Sequence, residues 1–343
     1  MKKLAFLFVL IIAASCKTSE VTPTGTSTQA PGKPVDEKSF VKLGGEEQYV
    51  EISSDSDKNP VLLFIHGGPG WPQTPQIRAF NSDISKDYTL VVWEQRGAGQ
   101  SYVKNPNPEN VTLKQIVADA KELTEQLKKR FGQEKIYLAG YSWGSVVGME
   151  LAQNYPEDYR AYISIAQVIN KNRGMEVSQE WLRKKAEENN DKESLAILEK
   201  LKNPTKDFCD GRTACFMKQY ELITKYGGAV YDKEIGKKIE EKTDKYEDYK
   251  DYPWMKAYEF SAPKLEEDLY AVDIRDVKEL KIPVYFFVGR HDNNVPAILV
   301  DEFAKGLKAP KKEVIWFEKA GHAIMEEEPE KFNKLIVERV LNR

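Results

Sequence analysis

Short unbroken apolar runs, each closed by turn-forming or polar residues, recur along most of this 343-residue chain. Pro60-Val61-Leu62-Leu63-Phe64-Ile65, Tyr88-Thr89-Leu90-Val91-Val92-Trp93, Ile136-Tyr137-Leu138-Ala139 and Tyr162-Ile163-Ser164-Ile165-Ala166 are four of them. A strand buried on both faces reads this way, because neither side has to meet water. Between the runs the apolar spacing switches to three and four. Leu113, Ile116, Val117, Ala120, Leu123 and Leu127 form one face of a helix, with Thr112 and Gln115 predicting its capped start and Gly132 its stop. A helical stretch is also expected over 74–85, and another from Ser142 to Tyr155-Pro156. Phe40 to Ile52 reads as one or two edge strands. Strands alternating with helices at this spacing predict an α/β protein with a mostly parallel, doubly wound sheet.

The alternation breaks after about Val168. Residues 171–262 hold charged helical segments, over 176–190 and 213–226 for example, and no convincing strand. They read as a helical cap inserted between a first core segment, 37–170, and a second, 263–343. Most of the cap's aromatics, such as Trp181, Tyr220, Trp254 and Tyr258, should staple its helices together, while a few face a ligand. The strand pattern resumes at Pro283 to Gly289 and at Glu313 to Phe317. A last helix from Pro329 to Leu341 presents Phe332, Leu335, Ile336 and Val340 on one face.

Composition narrows the function. Lys and Arg number 51 against 54 Asp and Glu, a net charge of -3 without a basic excess, which argues against a nucleic-acid partner. At the N-terminus, Met1-Lys2-Lys3 precedes an apolar run from Leu4 to Ala14 that is too short to span a bilayer and has the shape of a secretory signal. Ala13-Ala14-Ser15-Cys16 resembles a bacterial lipobox, with Ala13 where leucine is usual. The expectation is a signal over 1–16, acylation of Cys16, and an exported protein held to a membrane by its lipid; plain secretion is the alternative. Residues 17–36, rich in Thr, Ser, Pro and Gly, read as a flexible tether. Export permits a disulfide between Cys209 and Cys215, and two free thiols are the other possibility. The three histidines lie far apart, and no metal-ligand spacing appears.

Candidate chemistry gathers at strand ends, where open parallel sheets hold their ligands. His66-Gly67-Gly68-Pro69-Gly70 follows the first buried strand. Gly140-Tyr141-Ser142-Trp143-Gly144-Ser145 joins a strand to a helix, Arg290-His291-Asp292 follows a later strand, and Ala320-Gly321-His322 follows the last. Gly-x-Ser-x-Gly alone is weak, since chance supplies it in roughly one chain in ten of this size. A sharp strand-to-helix turn would push the Ser142 hydroxyl out of the sheet, with the flanking glycines avoiding a Cβ clash. The chain order Ser, Asp, His is what strengthens it. Ser142 would be the nucleophile, His322 the base that takes its proton, and Asp292 the carboxylate that orients the imidazole, with Asp301 and Asp276 as less favoured alternatives. The N–H groups of Gly68 and Trp143 would hold the oxyanion. His66 and Arg96 read as organisers of their own loops, and His291 as a bystander.

The glycine loop at His66, the Gln95-Arg96-Gly97-Ala98-Gly99-Gln100-Ser101 loop and the Ser142 elbow together resemble the proline iminopeptidase family of α/β-hydrolases. The terminal Gly289-Arg290-His291-Asp292 and Gly321-His322 fit as well, so the likeness runs from about Phe40 to Arg343 except the cap. It implies an α/β-hydrolase fold and a cofactor-free serine aminopeptidase that removes an N-terminal residue, often proline, from short peptides. In that family, cap glutamates hold the substrate's amino group, for which Glu176, Glu180, Glu221 and Glu259 are candidates here. The competing readings are an esterase or amidase acting on a small acyl substrate and a ligand-binding lipoprotein on a hydrolase scaffold. Epoxide hydrolases and dehalogenases are disfavoured, because they carry aspartate where this chain has Ser142.

Overall fold

A computed structural model describes residues 32–341. The expected signal, Cys16 and the tether as far as residue 31 lie outside the described residues. The tether was expected to run to residue 36, but a strand starts before that. Strand β1 (Val35–Leu43) pairs Val35 and Asp36 with Ser54 and Ser53 of β2 (Glu46–Ser54). Its partly buried positions alternate along the strand, the signature of one sheltered face, and a single valine was too little for composition to mark.

The sheet has eight strands in the order β1-β2-β4-β3-β5-β6-β7-β8. β3 (Val61–Ile65), β4 (Thr89–Trp93), β5 (Ile136–Tyr141), β6 (Tyr159–Ile165), β7 (Val284–Gly289) and β8 (Lys312–Phe317) run parallel, and β1 and β2 form an antiparallel edge. Successive residues of the apolar runs serve opposite faces. Leu63, Val91, Leu138 and Phe286 join one core with the helices Leu113–Phe131 and Trp143–Asn154. Leu62, Leu90, Ala139 and Phe287 join the other, with Ile77, Phe332 and Ile336. Burying each such side chain contributes about 1.5–3 kcal/mol, so both faces stabilise the frame that presents the strand ends.

Local signals account for the helix ends. The Thr112 side chain accepts from the N–H of Gln115, and Gly132 closes the helix at a φ of 61°. The Gln115 amide does not return to Thr112 but donates to Asp119, which already ties down Arg96. The stretch over 74–85 is helical in three short pieces, Thr74–Gln76, Ile77–Asn81 and Ser82–Lys86.

Between β6 and β7 the described residues form helices joined by turns, beginning with Lys171–Glu188, Lys192–Lys202 and Arg212–Lys225. Leu182, Leu198, Leu222 and Ile223 give this part a small core of its own, and a Cys209–Cys215 disulfide joins the segment before the third helix to its first turn. A later helix, Trp254–Ser261, rests on both glycine-rich loops of the core. Trp254 packs on Trp71 with ring centroids 4.8 Å apart, and Ser261 Oγ donates to the Gly97 carbonyl at 2.7 Å. A Cβ at Gly97, whose φ is 77°, would come within 2.4 Å of that hydroxyl, so glycine is required on two counts.

Candidate active site

Ser142 stands between the end of β5 and the helix Trp143–Asn154, with φ 52° and ψ -116°. A non-glycine residue there costs of order 1–3 kcal/mol and persists only where its surroundings hold it. They do so from several sides. Ser142 N–H donates to Ile165 O at 2.9 Å, while Ser142 O accepts from the backbone N–H of Ser145 at 2.8 Å and from its hydroxyl at 2.5 Å. The positive φ falls on the serine itself, so the glycines two residues away serve close approach. A Cβ on Gly144 would lie 2.2 Å from Ile65 O and 2.5 Å from His66 O. The helix can therefore start against the end of β3.

His322 brings its Nε2 to 3.0 Å from Ser142 Oγ and its Nδ1 to 2.7 Å from Asp292 Oδ2. Asp292 is 3% exposed, and its Oδ1 accepts the backbone N–H groups of Asn294 at 2.9 Å and Val295 at 2.8 Å. With one oxygen saturated by these donors, the other faces the imidazole. Nδ1–H then donates to it, which leaves the Nε2 lone pair for the serine hydroxyl. The alternative carboxylates are elsewhere: Asp301 pairs with Lys305, and Asp276 is fully exposed beside Lys278.

The cap braces this arrangement. His322 N–H donates to Ala229 O at 2.7 Å and Asn293 N–H to Gly228 O at 2.7 Å. Glu327 accepts from the N–H of Gly321 with one oxygen and from those of Tyr231 and Asp232 with the other.

His66 is fully buried within its loop. Its Nδ1–H donates to Gly67 O at 2.7 Å, and its Nε2 accepts from Gln95 N–H at 3.0 Å. The Gln95 side chain in turn accepts from the Trp143 indole at 2.9 Å, which couples the two glycine-rich loops to the elbow. Burial pushes His66 from its ordinary 6.5 down to about 4. The unfolded chain therefore binds a proton below about pH 6.5 that the folded chain refuses until about pH 4, and stability falls as pH drops through that window. Glu94 and Glu326, raised by burial from 4.5 to about 7, act in the opposite sense between those values. The contribution is thus read as a difference. In urea titrations the advantage of the wild type over His66→Gln shrinks by about 2–3 kcal/mol between pH 7 and pH 4.5. A constant gap would mean that His66 titrates normally in the folded protein.

Arg96 lies buried against Asp119, with Nε to Oδ2 at 2.6 Å and Nη2 to Oδ1 at 2.9 Å, and its Nη1 donates to Glu109 O at 2.7 Å. His291 stacks on Tyr231 with centroids 4.6 Å apart and makes no contact with the serine.

A cavity of about 590 Å³ opens over Ser142 and His322, and Gly68 and Trp143 line it too. Much of its wall is apolar, with Met175, Met217, Ile235, Leu269 and Leu299 among its residues. The four glutamates expected to face it do not. Glu176 and Glu180 point into solvent and share Arg173, while Glu221 and Glu259 are exposed away from the cavity. Helix phase explains this, since nothing in a charged helix marks which charge faces inward.

The carboxylates in the lining are Glu266 and Glu326. Glu266 Oε2 accepts from the Thr213 N–H and hydroxyl, both at 2.5 Å. Glu326 is 7% exposed, and its Oε2 has no hydrogen-bond partner. Glu266 lies just past the expected end of the cap. Glu326 lies four residues after His322, in the short helix Ile324–Glu327 that follows it.

Residues 60–329 match the family described as alpha/beta hydrolase fold. A probable aminopeptidase of Bacillus subtilis (strain 168) is 29% identical over 296 residues, covering 85% of this chain and 92% of that protein. A proline iminopeptidase of Neisseria gonorrhoeae is 35% identical over 116 residues, 34% of each chain. Among solved structures, a proline iminopeptidase-related protein of Thermus thermophilus superposes with a TM-score of 0.62 at 19% identity, covering 90% of this chain and all of that one. The strand order, the elbow and the matched family agree: this chain belongs to the α/β-hydrolase fold family.

Proposed function

We propose that this serine hydrolase is an aminopeptidase that releases the N-terminal residue, with proline as a favoured one, from short peptides. The observation that carries the reading is a hydrogen-bonded Ser142–His322–Asp292 chain opening onto a cavity whose lining includes two carboxylates, Glu266 and Glu326. Ser142 Oγ attacks the carbonyl carbon of the first peptide bond as its proton passes to His322 Nε2. The N–H groups of Gly68 and Trp143 take the oxyanion. As the C–N bond breaks, His322 returns the proton to the departing amine and leaves an acyl-enzyme. Water then attacks the acyl carbon as His322 takes its proton, and His322 returns that proton to Ser142 Oγ as the acyl C–O bond breaks and the freed residue leaves. Throughout, Asp292 holds the imidazolium in place. The substrate's ammonium would sit against the cavity carboxylates, an attraction that water exclusion strengthens. The names of the Bacillus and Neisseria relatives favour the same reaction.

The apolar walls also suit an esterase or amidase acting on a neutral acyl group, and a panel of substrates separates the two. Prolyl and other aminoacyl anilides should be cleaved at least tenfold faster than the N-acetylated prolyl anilide or short nitrophenyl esters, measured as kcat/KM. Glu266→Gln and Glu326→Gln should each raise KM for the free-amino substrates about tenfold and leave the acetylated one unmoved. Equal turnover of free and acetylated anilides would instead support the esterase or amidase reading.

A further inference from the structure

Lys171 sits where a lysine is costly. It opens the helix Lys171–Glu188, is half-buried, and lines the same cavity as Ser142 and His322. Its Nζ lies 3.8 Å from the centroid of Phe216 and 5.9 Å from that of Tyr270. Ring faces attract a cation but do not replace a counter-ion. Among the described residues its ammonium has no carboxylate partner. Burial alone pushes the amine down to about 8, with no opposing charge to hold it up. The neighbouring Glu266 is held by Thr213, and Glu326 belongs to the segment that follows His322. A cation kept from water without a partner is destabilising, and such groups are normally paired. The other lysine of the lining, Lys233, is exposed and solvated, so it poses no such problem.

We propose that Lys171 is the subsite for a carboxylate on the leaving part of the substrate, which makes the preferred substrates short peptides carrying a carboxylate at or near their C-terminus. The cavity then carries both signs of charge for its ligand. Glu266 and Glu326 face the incoming ammonium, and Lys171, with the Phe216 and Tyr270 rings behind it, receives the carboxylate. Chain geometry bounds the length. Ser142 N–H is bonded to Ile165 O, and Lys171 follows Ile165 by six residues. Fully extended, six residues span at most about 20–22 Å, so an extended peptide of about six residues suffices to bridge the elbow and Lys171. This assignment rests on the aminopeptidase reading for the direction of the peptide, but not for the existence of the anion subsite.

The test is therefore one of binding, separate from turnover. The full chain carrying Ser142→Ala is titrated calorimetrically with three peptides of equal length and sequence apart from the last position: a tripeptide free acid, its C-terminal amide, and the amide ending in glutamate. One carboxylate-bearing peptide, or both, should bind about tenfold tighter than the neutral amide. The arm that does so tells the α-carboxylate from a side-chain carboxylate. Adding Lys171→Met should level the three affinities, whereas Lys171→Arg should keep a preference and Lys233→Met should leave it intact. Equal affinities in the starting protein, no binding of any of the three, or a preference that survives Lys171→Met would each overturn the assignment. A preference lost with Lys171, in a wild type that cleaves esters but no peptide, would support the subsite and overturn the aminopeptidase reading instead.

Discussion

Replacing Ser142 with alanine should lower kcat by on the order of 10⁶-fold toward every substrate the protein hydrolyses. Two features lead to that size. Ser142 Oγ is the hydroxyl that stands 3.0 Å from His322 Nε2, and the elbow holds it at the start of the helix Trp143–Asn154, beside the N–H of Trp143. Without Oγ the imidazole has no proton to accept, and no acyl-enzyme can form. The bonds that hold the elbow's strained backbone run through main-chain atoms of residue 142. The variant should therefore melt close to the wild type, which separates lost chemistry from lost folding. Purified wild type and variant compared on the best anilide or ester of the panel decide the matter. A loss of less than about tenfold would remove Ser142 from the mechanism.

Asp292→Asn should cost about 10⁴-fold in kcat with little change in substrate affinity. The reasoning follows the hydrogen bonds. Asp292 Oδ1 accepts from two backbone N–H groups, so the asparagine carbonyl takes that position and its NH₂ is turned toward His322. An NH₂ can only donate, which forces Nδ1 to accept and moves the imidazole proton to Nε2. The ring keeps its place but presents a proton to Ser142 where a lone pair is needed. Imidazole nitrogen NMR signals should report the exchanged tautomer in the variant. Wild-type activity with the exchanged tautomer would show that Asp292 does not orient the base.

Much of the frame is legible in the sequence. β3, β4, β5 and β7 are buried on both faces, so their runs are apolar throughout and stand out. The elbow and the ends of β7 and β8 were legible for another reason: special backbone geometry and short polar motifs are local. The start of β1 was not, because the five residues that precede the expected edge strand, Val35 to Ser39, hold a single apolar side chain. The cap was harder still. Its helices carry charge on most faces, and which glutamate turns inward depends on packing against the core, so Glu176 and Glu180 stood as candidates while Glu266, beyond the expected cap, carried no mark. Lys171 shows the same limit: before the fold it is one lysine among many, and only the ring cage and the missing counter-ion distinguish it.

The seating of the cap constrains how the protein can be re-engineered or diversified. The helix Trp254–Ser261 touches Trp71 and Gly97 at van der Waals or hydrogen-bond distance, and Tyr252 and Tyr249 bond Gly99 and Glu94 in the second loop. Gly228 to Asp232 is in turn tied to the loops carrying Asp292 and His322. A chimera that borrowed another relative's lid at residues 171 and 262 would sever these docking pairs. The unit of exchange is therefore the lid together with the loops at 66–71, 94–101, 290–295 and 320–327.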